Sequence, residues 1–182
     1  MRFAVLRALF NADVTAALLS GALRGFADGH VRRSDIEVYD VPGAFELPIA
    51  ASWLAQTKRY DAVVCLGCVI RGETPHFDYV ADAAARGIAD VGLATGVPVI
   101  FGVLTTDNAA QAWARAGGQR RGLAPHTRHG VQGNKGYEAA QAAMHMSALR
   151  RTAAKPAARR SAARRSPRGS STTRRAQRRV IA

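Results

Sequence analysis

The chain has 182 residues and a formal net charge of +13. Twelve of its 26 Lys and Arg residues lie from Arg150 onward, where no Asp or Glu occurs, so the part before Arg150 is almost neutral. Length and charge therefore predict one globular domain at 1–150 and a basic tail at 151–182. Apolar runs are too short to cross a membrane and no signal-peptide pattern is present, which favours a cytoplasmic protein without a membrane partner.

Short apolar runs alternate with helical patterns through the first 117 residues. The apolar runs predict strands at 3–9, 36–41, 62–69 and 97–104. The helical patterns predict helices at 13–26, 44–56, 77–95, 108–116 and 134–150. We expect the side chain of Asn11 or Asp13 to cap the first helix. The alternation predicts an α/β fold in which helices cover both faces of a parallel sheet.

The segment 67–80, GCVIRGETPHFDYV, is the most informative part of the chain. A strand that ends in Gly and leads into a helix presents backbone N–H groups that can bind an anion. His76 stands at the start of that helix, and an imidazole takes up or releases a proton near pH 7. The segment therefore predicts a phosphate site with an acid–base group beside it.

The first two predicted strands are also followed by residues that suit a binding site. Phe10 and Asn11 follow the first strand, and the segment 42–46 follows the second. Ligands of parallel α/β folds bind beyond the carboxyl ends of the strands. We therefore expect these segments and 68–76 to form one site.

Cys65 and Cys68 are the two cysteines of the chain and form a C-x-x-C pair. Such a pair can be a redox motif or half of a metal site. Successive strand residues point to opposite faces, so these two side chains should lie on opposite sides of the sheet. The spacing favours two buried or pocket-lining thiols over a metal site.

Two segments break the strand–helix alternation. Residues 118–132 are rich in Gly, Arg and His and predict an exposed loop, where solvated side chains are favoured over a metal site at His126 and His129. The tail has no large apolar residue from Thr152 until Val180, so we predict that it is disordered. Its cations suit sequence-independent contact with nucleic-acid phosphates. The alternative, which the composition favours, is a solvated extension without a binding role.

Five motifs occur in order along the domain. They are VPGAFELP at 41–48, GCVIRGETPHFDYV at 67–80, PVIFGVLTTDN at 98–108, QAWARAG at 111–117 and GNKGYEAAQAA at 133–143. This set resembles the motifs of the lumazine synthase family of riboflavin biosynthesis. The resemblance implies a three-layer α/β/α sandwich with a four-stranded parallel sheet, in a flavodoxin-like arrangement.

The resemblance also implies an activity. The family's transferases condense 5-amino-6-(D-ribitylamino)uracil with 3,4-dihydroxy-2-butanone 4-phosphate. The products are 6,7-dimethyl-8-ribityllumazine, phosphate and water, and the reaction needs neither a metal nor an organic cofactor. The alternative is a catalytically impaired relative that binds flavins or lumazines and carries a nucleic-acid-binding tail.

Roles for individual residues follow from the same resemblance. His76 is expected to transfer protons, with Glu138 orienting it across a subunit interface. The phosphate is expected to be held by Glu73, Thr74 and Arg115. The remaining expected substrate contacts are Phe10, Asn11, Ala44, Phe45, Glu46, Cys68, Val69, Ile70, Lys135 and, from the adjacent subunit, Phe101.

Several of these residues also have a purely structural interpretation. Phe10 could end the first strand inside the core, and Glu46 and Arg115 could be solvated helix charges favoured by their position. Lys135 is equally well explained as an ordinary lysine at a helix N-terminus. For residues 68–70 the sequence does not separate a packing role from substrate contact.

The resemblance further implies an assembly, because active sites of the family lie between neighbouring subunits of a pentamer. Family members have a very short link between the ARAG and GNKG motifs, whereas this chain has fifteen residues at 118–132. Extra residues at this link accompany smaller assemblies. We therefore predict a homopentamer or decamer and disfavour a 60-subunit shell.

Overall fold

The computed structural model of the chain describes residues 1–118 and 133–154. Its strands are β1 (Phe3–Ala8), β2 (Ile36–Val41), β3 (Ala62–Ile70) and β4 (Val99–Thr106). Its α-helices are α1 (Ala12–Asp28), α2 (Leu47–Gln56), α3 (His76–Thr95), α4 (Ala109–Arg115) and α5 (Lys135–Ala153). Short 3₁₀ turns occupy Arg33–Asp35 and Ala44–Glu46. No helix among the described residues is long and apolar enough to span a bilayer.

The four strands form one parallel sheet in the order β2-β1-β3-β4. In the register, Val5 of β1 lies opposite Val38 of β2 and Val64 of β3, and Cys65 of β3 lies opposite Phe101 of β4. The predicted α/β fold with a four-stranded parallel sheet is thus confirmed. All four carboxyl ends of the strands meet at one edge of the molecule.

Two apolar layers hold the helices against the sheet. On one face, Phe3 and Val5 pack with buried residues of α1, α4 and α5, and the rings of Phe3 and Phe26 lie 4.7 Å apart. On the other face, Ala4 and Leu6 pack with α2 and α3. Burial of both faces explains why β1 and β3 are nearly continuous apolar runs in the sequence.

The cysteines lie on opposite faces of β3, as their spacing predicts. Cys65 is buried in the layer under α2 and α3, whereas Cys68 is buried in the layer under α1 and α5. Both are free thiols, and because they face opposite layers they cannot share a metal ion or a disulfide. Burial raises the pKa of Cys68 to about 11 and raises the pKa of Cys65 still further, so both thiols are protonated at neutral pH.

The structure differs from the sequence-based prediction at several helix and strand ends. The prediction that Asn11 or Asp13 caps α1 with its side chain is wrong: Asn11 occupies the N-cap position but makes no side-chain capping bond. The second helix starts with a 3₁₀ turn, β4 lies two residues later than predicted, and α5 extends to Ala153. Most of the predicted loop at 118–132 and of the predicted tail lies outside the described residues.

Asn134, the N-cap residue of α5, connects α5 to the end of α4. Ala116 and Asn134 form an isolated antiparallel β-bridge. The amide nitrogen of Asn134 donates to the carbonyl oxygens of Ala17 (3.0 Å) and Ala116 (2.5 Å), and its oxygen accepts from the N–H groups of Gly136 and Tyr137. This buried side chain therefore links the residue after α4, next to Arg115, to α1 and to the start of α5.

Candidate active site

A cleft of about 650 Å³ opens at the carboxyl edge of the sheet. Its walls come from the predicted binding segments and from the first turns of α3. The lining residues are Phe10, Pro42, Gly43, Ala44, Phe45, Glu46, Cys68, Val69, Ile70, Gly72, Thr74, His76, Phe77, Tyr79 and Val80. We call this space the His76 cleft.

Phe10 presents its ring to the His76 cleft because its backbone is held by the chain that follows β2. The N–H of Leu9 donates to the carbonyl of Val41 (2.8 Å), and the N–H of Phe10 donates to the carbonyl of Pro42 (3.1 Å). The Phe10 side chain is 71% exposed. The interpretation of Phe10 as a core residue is therefore wrong, and its ring is free to stack on a flat ligand.

Asn11 lies beside the cleft and supports it without lining it. Its backbone is left-handed (φ 55°), and its side-chain amide donates to the carbonyl of Cys68 at 2.9 Å. This bond joins the end of β1 to the end of β3. The Asn11 side chain, which the sequence predicts to cap α1, thus bonds to Cys68 of β3 instead.

The segment after β2 forms the wall opposite α3. Gly43 is extended, and a Cβ placed there would lie 3.1 Å from a carboxylate oxygen of Glu46, which shows how closely that side chain folds back over the turn. Ala44 is buried, whereas Phe45 is 61% exposed. Glu46 is half-buried at the wall, so its oxygens can accept hydrogen bonds from a ligand in the cleft.

The segment between β3 and α3 brings a hydroxyl and an imidazole to the same cleft. Thr74 and His76 both line it, and both are exposed to solvent. Glu73 is exposed and does not line it. Because α3 begins at His76, the N–H groups of His76 and Phe77 have no acceptor within the helix and can bind an anion, whereas the N–H of Asp78 donates to the carbonyl of Pro75 at 3.0 Å.

The other predicted site residues lie elsewhere on the protomer. A second cleft, of about 430 Å³, lies along β4, and its lining includes Phe101, Arg115, Lys135 and Glu138. We call it the Arg115 cleft, and none of the residues that the structure describes lines both clefts. One copy of the chain therefore does not bring Arg115 or Lys135 to His76.

Both cations of the Arg115 cleft already have partners on their own helices. A guanidinium nitrogen of Arg115 donates to the carbonyl of Gln111 at 3.0 Å. The ammonium of Lys135 contacts the carboxylate of Glu138 at 2.6 Å. These contacts leave further donors on both groups, since a guanidinium has five N–H groups and an ammonium three.

The comparison with known families agrees with this geometry. The model of the 6,7-dimethyl-8-ribityllumazine synthase family matches residues 1–151. The chain belongs to the lumazine synthase family. The match includes both clefts and every residue discussed above for the candidate site.

In this lumazine synthase family member, sequence reasoning missed two aromatic residues that line the His76 cleft and one arginine that contacts one of them. Tyr79 lines the cleft and is 73% exposed, and Phe77 also lines it. Arg71 lies behind Phe77, with its guanidinium carbon 4.2 Å from the ring centroid. The spacing of Tyr79 three residues after His76 places both on one helical face, and this signal could have identified Tyr79.

Within residues 1–118 and 133–154, no three His, Cys, Asp or Glu residues are placed to hold a metal ion. His126 and His129 lie outside the described residues. A groove of about 560 Å³ near the amino ends of the strands has the exposed charges Lys58, Asp90 and Arg150. The described residues that line this groove include neither an aromatic ring nor an imidazole.

Proposed function

We propose that this chain is an active lumazine synthase, which condenses 5-amino-6-(D-ribitylamino)uracil with 3,4-dihydroxy-2-butanone 4-phosphate. The products are 6,7-dimethyl-8-ribityllumazine, inorganic phosphate and water. The observation that supports this most strongly is the convergence of Phe10, Glu46, Thr74 and His76 on one cleft in a member of this family. A protein that only bound flavins would not need an imidazole beside an anion site.

The pyrimidine is proposed to stack on Phe10, whose exposed ring adds no competing hydrogen bond. Its polar edge would meet backbone groups of Cys68, Val69 and Ile70, which lie at the end of β3 on the wall of the cleft. The ribityl hydroxyls would donate to the carboxylate of Glu46. The protonated thiol of Cys68 has no nucleophilic role in this scheme, since thiolates are the reactive form.

The phosphate is proposed to bind at the start of α3, where Thr74 offers a hydroxyl and the helix offers free N–H groups. The amine of the pyrimidine attacks the ketone carbonyl to form an imine with loss of water. Elimination of phosphate follows. The ribityl-bearing nitrogen then attacks the remaining carbonyl carbon, and loss of a second water closes the second ring. Each step moves a proton, and His76, which lines the cleft, would carry it.

The energetic contribution of the site is proposed to be mainly proximity. Both substrates are intrinsically reactive, so holding the amine next to the carbonyl replaces a bimolecular encounter with an internal step. The exposed imidazole of His76 then accelerates proton transfers that water can also perform slowly.

A complete site is proposed to need a second copy of the chain. Arg115, Lys135 and Phe101 line a cleft that is separate from the His76 cleft, so a neighbour would supply them to it. A head-to-tail interface of this kind closes into a ring when the rotation allows. Exposed apolar side chains on α2 and α3 provide area to bury between copies: Ile49 (51%), Trp53 (64%) and Leu93 (85%).

We propose a homopentamer or a pair of pentamers as the assembly. Native mass spectrometry of the full chain should give masses of five or ten copies. Hollow spherical particles in electron micrographs would instead indicate a 60-subunit shell and would contradict this assignment.

The proposed function is tested by incubating the purified chain with both substrates. Lumazine fluorescence should appear together with an equal amount of inorganic phosphate. If the chain binds riboflavin or lumazine but releases no phosphate above the uncatalysed rate, the alternative of a ligand-binding relative is correct and the proposal fails.

A further inference from the structure

Arg71 lies in the segment that connects β3 to α3, on the side of the His76 cleft where phosphate is proposed to bind. It directly follows β3, and its N–H donates to the carbonyl of Thr106 at 2.8 Å, extending the contact with β4 by one bond. Its side chain does not line the cleft. The guanidinium therefore faces the outer side of the loop that connects β3 to α3.

The guanidinium of Arg71 makes three kinds of contact at once. It donates two hydrogen bonds to the carboxylate of Asp78, at 3.1 and 3.3 Å, and one to Asp107 at 3.4 Å. Its carbon lies 4.2 Å from the ring centroid of Phe77. A planar fork that stacks on a ring while it binds a carboxylate with two nitrogens is a geometry that Lys cannot reproduce.

These contacts fix the first turn of α3 from outside the cleft. Asp78 and Phe77 belong to that turn, while Asp107 directly follows β4. Pro75 occupies the N-cap position and makes no side-chain capping bond, so the helix start lacks the usual local restraint. The ring of Phe77 has the guanidinium on one side and lines the His76 cleft as well.

The ion pairs themselves contribute little to global stability. The side chains of Arg71, Asp78 and Asp107 are 44%, 60% and 69% exposed, and exposed pairs are screened by water and salt. The two carboxylates also offset the charge of Arg71, which makes it a poor partner for substrate phosphate. The contacts of Arg71 with Asp78 and Asp107 can therefore act mainly on the local geometry of the loop and of the first turn of α3.

We propose that Arg71 is a positioning residue, which holds Thr74 and His76 in register with the cleft through Phe77, Asp78 and Asp107. This inference rests on the proposed function, because the residues it positions are those that would hold phosphate and move protons. A displacement of about 1 Å at a reacting group can lower a rate by about 100-fold.

The test compares Arg71→Ala and Arg71→Lys with Arg86→Ala. Arg86 is the matched control, since it pairs with Asp82 at 2.7 Å on the exposed surface of the same helix. We expect Arg71→Ala to lower kcat by about 10- to 100-fold and to raise KM for the butanone phosphate more than KM for the pyrimidine. Arg71→Lys should remain impaired, and Arg86→Ala should match the unmodified chain.

Restoration of the rate by Lys would assign Arg71 a simple electrostatic role and overturn the proposal. An unchanged rate in Arg71→Ala, or an equal loss in Arg86→Ala, would overturn it as well. Hydrogen–deuterium exchange without substrates separates this proposal from the proposed function. Exchange in peptides covering 71–80 should be faster in Arg71→Ala than in Arg86→Ala even if the chain proves inactive. Unchanged exchange would refute the positioning role of Arg71.

Discussion

On the proposed function, single residues of the His76 cleft contribute either to substrate binding or to proton transfer. Phe10 and Glu46 would hold the pyrimidine and its ribityl chain, while His76 would act only in the steps that move protons. General acid–base catalysis is worth roughly 10²- to 10⁴-fold, whereas orientation of two reactants can be worth more. The two contributions can be separated by removing the imidazole alone.

We predict that His76→Ala lowers kcat by on the order of 10²-fold and leaves a measurable rate above the uncatalysed reaction. KM for the pyrimidine should change little, because the ring of Phe10 and the carboxylate of Glu46 remain. His145→Ala, which removes an exposed imidazole of α5 outside both clefts, is the control and should be fully active. Complete loss of turnover in a folded His76→Ala chain would contradict the proximity mechanism.

The buried thiols make stability sensitive to alkaline pH. Burial raises the pKa of Cys68 to about 11, whereas an unfolded chain ionises its thiols near pH 8.5. Between these values the unfolded chain binds fewer protons, so the free energy of unfolding falls as pH rises. Below about pH 8 both states are protonated and the term is constant.

We predict that Cys68→Ala reduces this dependence by up to about 1.4 kcal/mol per pH unit between pH 9 and 10.5. Cys65, whose pKa is also raised by burial, keeps its own contribution in the variant. Urea denaturation at several pH values measures the slope. Identical slopes for the variant and the unmodified chain would show that the Cys68 thiol ionises in the folded state.

At the scale of elements, Asn134 connects α1, the end of α4 and the start of α5 beside the Arg115 cleft. Asn134 is 1% exposed, and its side chain caps α5 while it donates to the carbonyl oxygens of Ala17 in α1 and Ala116 after α4. Removing it would take the donor from the buried carbonyl of Ala116 and the second bond to Ala17 of α1, in addition to losing the cap. Asn108 caps α4 from an exposed position with a single bond to Gln111 and is a natural comparison.

We predict that Asn134→Ala destabilises the fold by about 2–4 kcal/mol, against about 1 kcal/mol for Asn108→Ala. Chemical denaturation of both variants gives the two values. KM for the butanone phosphate should rise in Asn134→Ala, because Ala116, the residue after Arg115, loses its bond to the Asn134 side chain. Equal destabilisation by the two substitutions would mean that the buried bonds of Asn134 add nothing beyond capping.

The elements themselves follow closely from sequence, and the deviations have local physical causes. Burial of both faces makes β1 and β3 recognisable as apolar runs. The hydrophobic pattern starts β4 too early because Pro98 has no N–H for the ladder, which begins at Val99 opposite Val63. The pattern also ends too early, since Thr105 and Thr106 continue the strand with polar side chains.

The site is less predictable from residues alone. Strand ends predict that Phe10, Glu46 and His76 meet, because parallel strands place their carboxyl ends at one edge. The separation of Arg115 from His76 depends on the paths of α4 and α5, which no local pattern encodes. The hydrogen bond from Asn11 to Cys68 likewise cannot be predicted from the sequence, since its acceptor lies 57 residues away and the local pattern suggests a helix cap.

At the scale of the whole molecule, the proposed function implies that the two clefts of one chain are incomplete halves of a site. The His76 cleft has the aromatic ring, the hydroxyl and the imidazole, and the Arg115 cleft has the guanidinium and the ammonium. Catalysis on the proposed scheme needs both halves, which two neighbouring copies would bring together. A ring of identical head-to-tail interfaces would give every copy one complete site.

The most direct test of this requirement mixes subunits that each carry one damaged half. His76→Ala and Arg115→Ala chains, co-expressed in equal amounts with different affinity tags, should form hybrid rings in which about a quarter of the interfaces pair two intact halves. Turnover should therefore recover to about a quarter of the unmodified value, far above either variant alone. Turnover that stays at the mean of the two separate variants, in rings shown to contain both tags, would mean that each chain works without its neighbour.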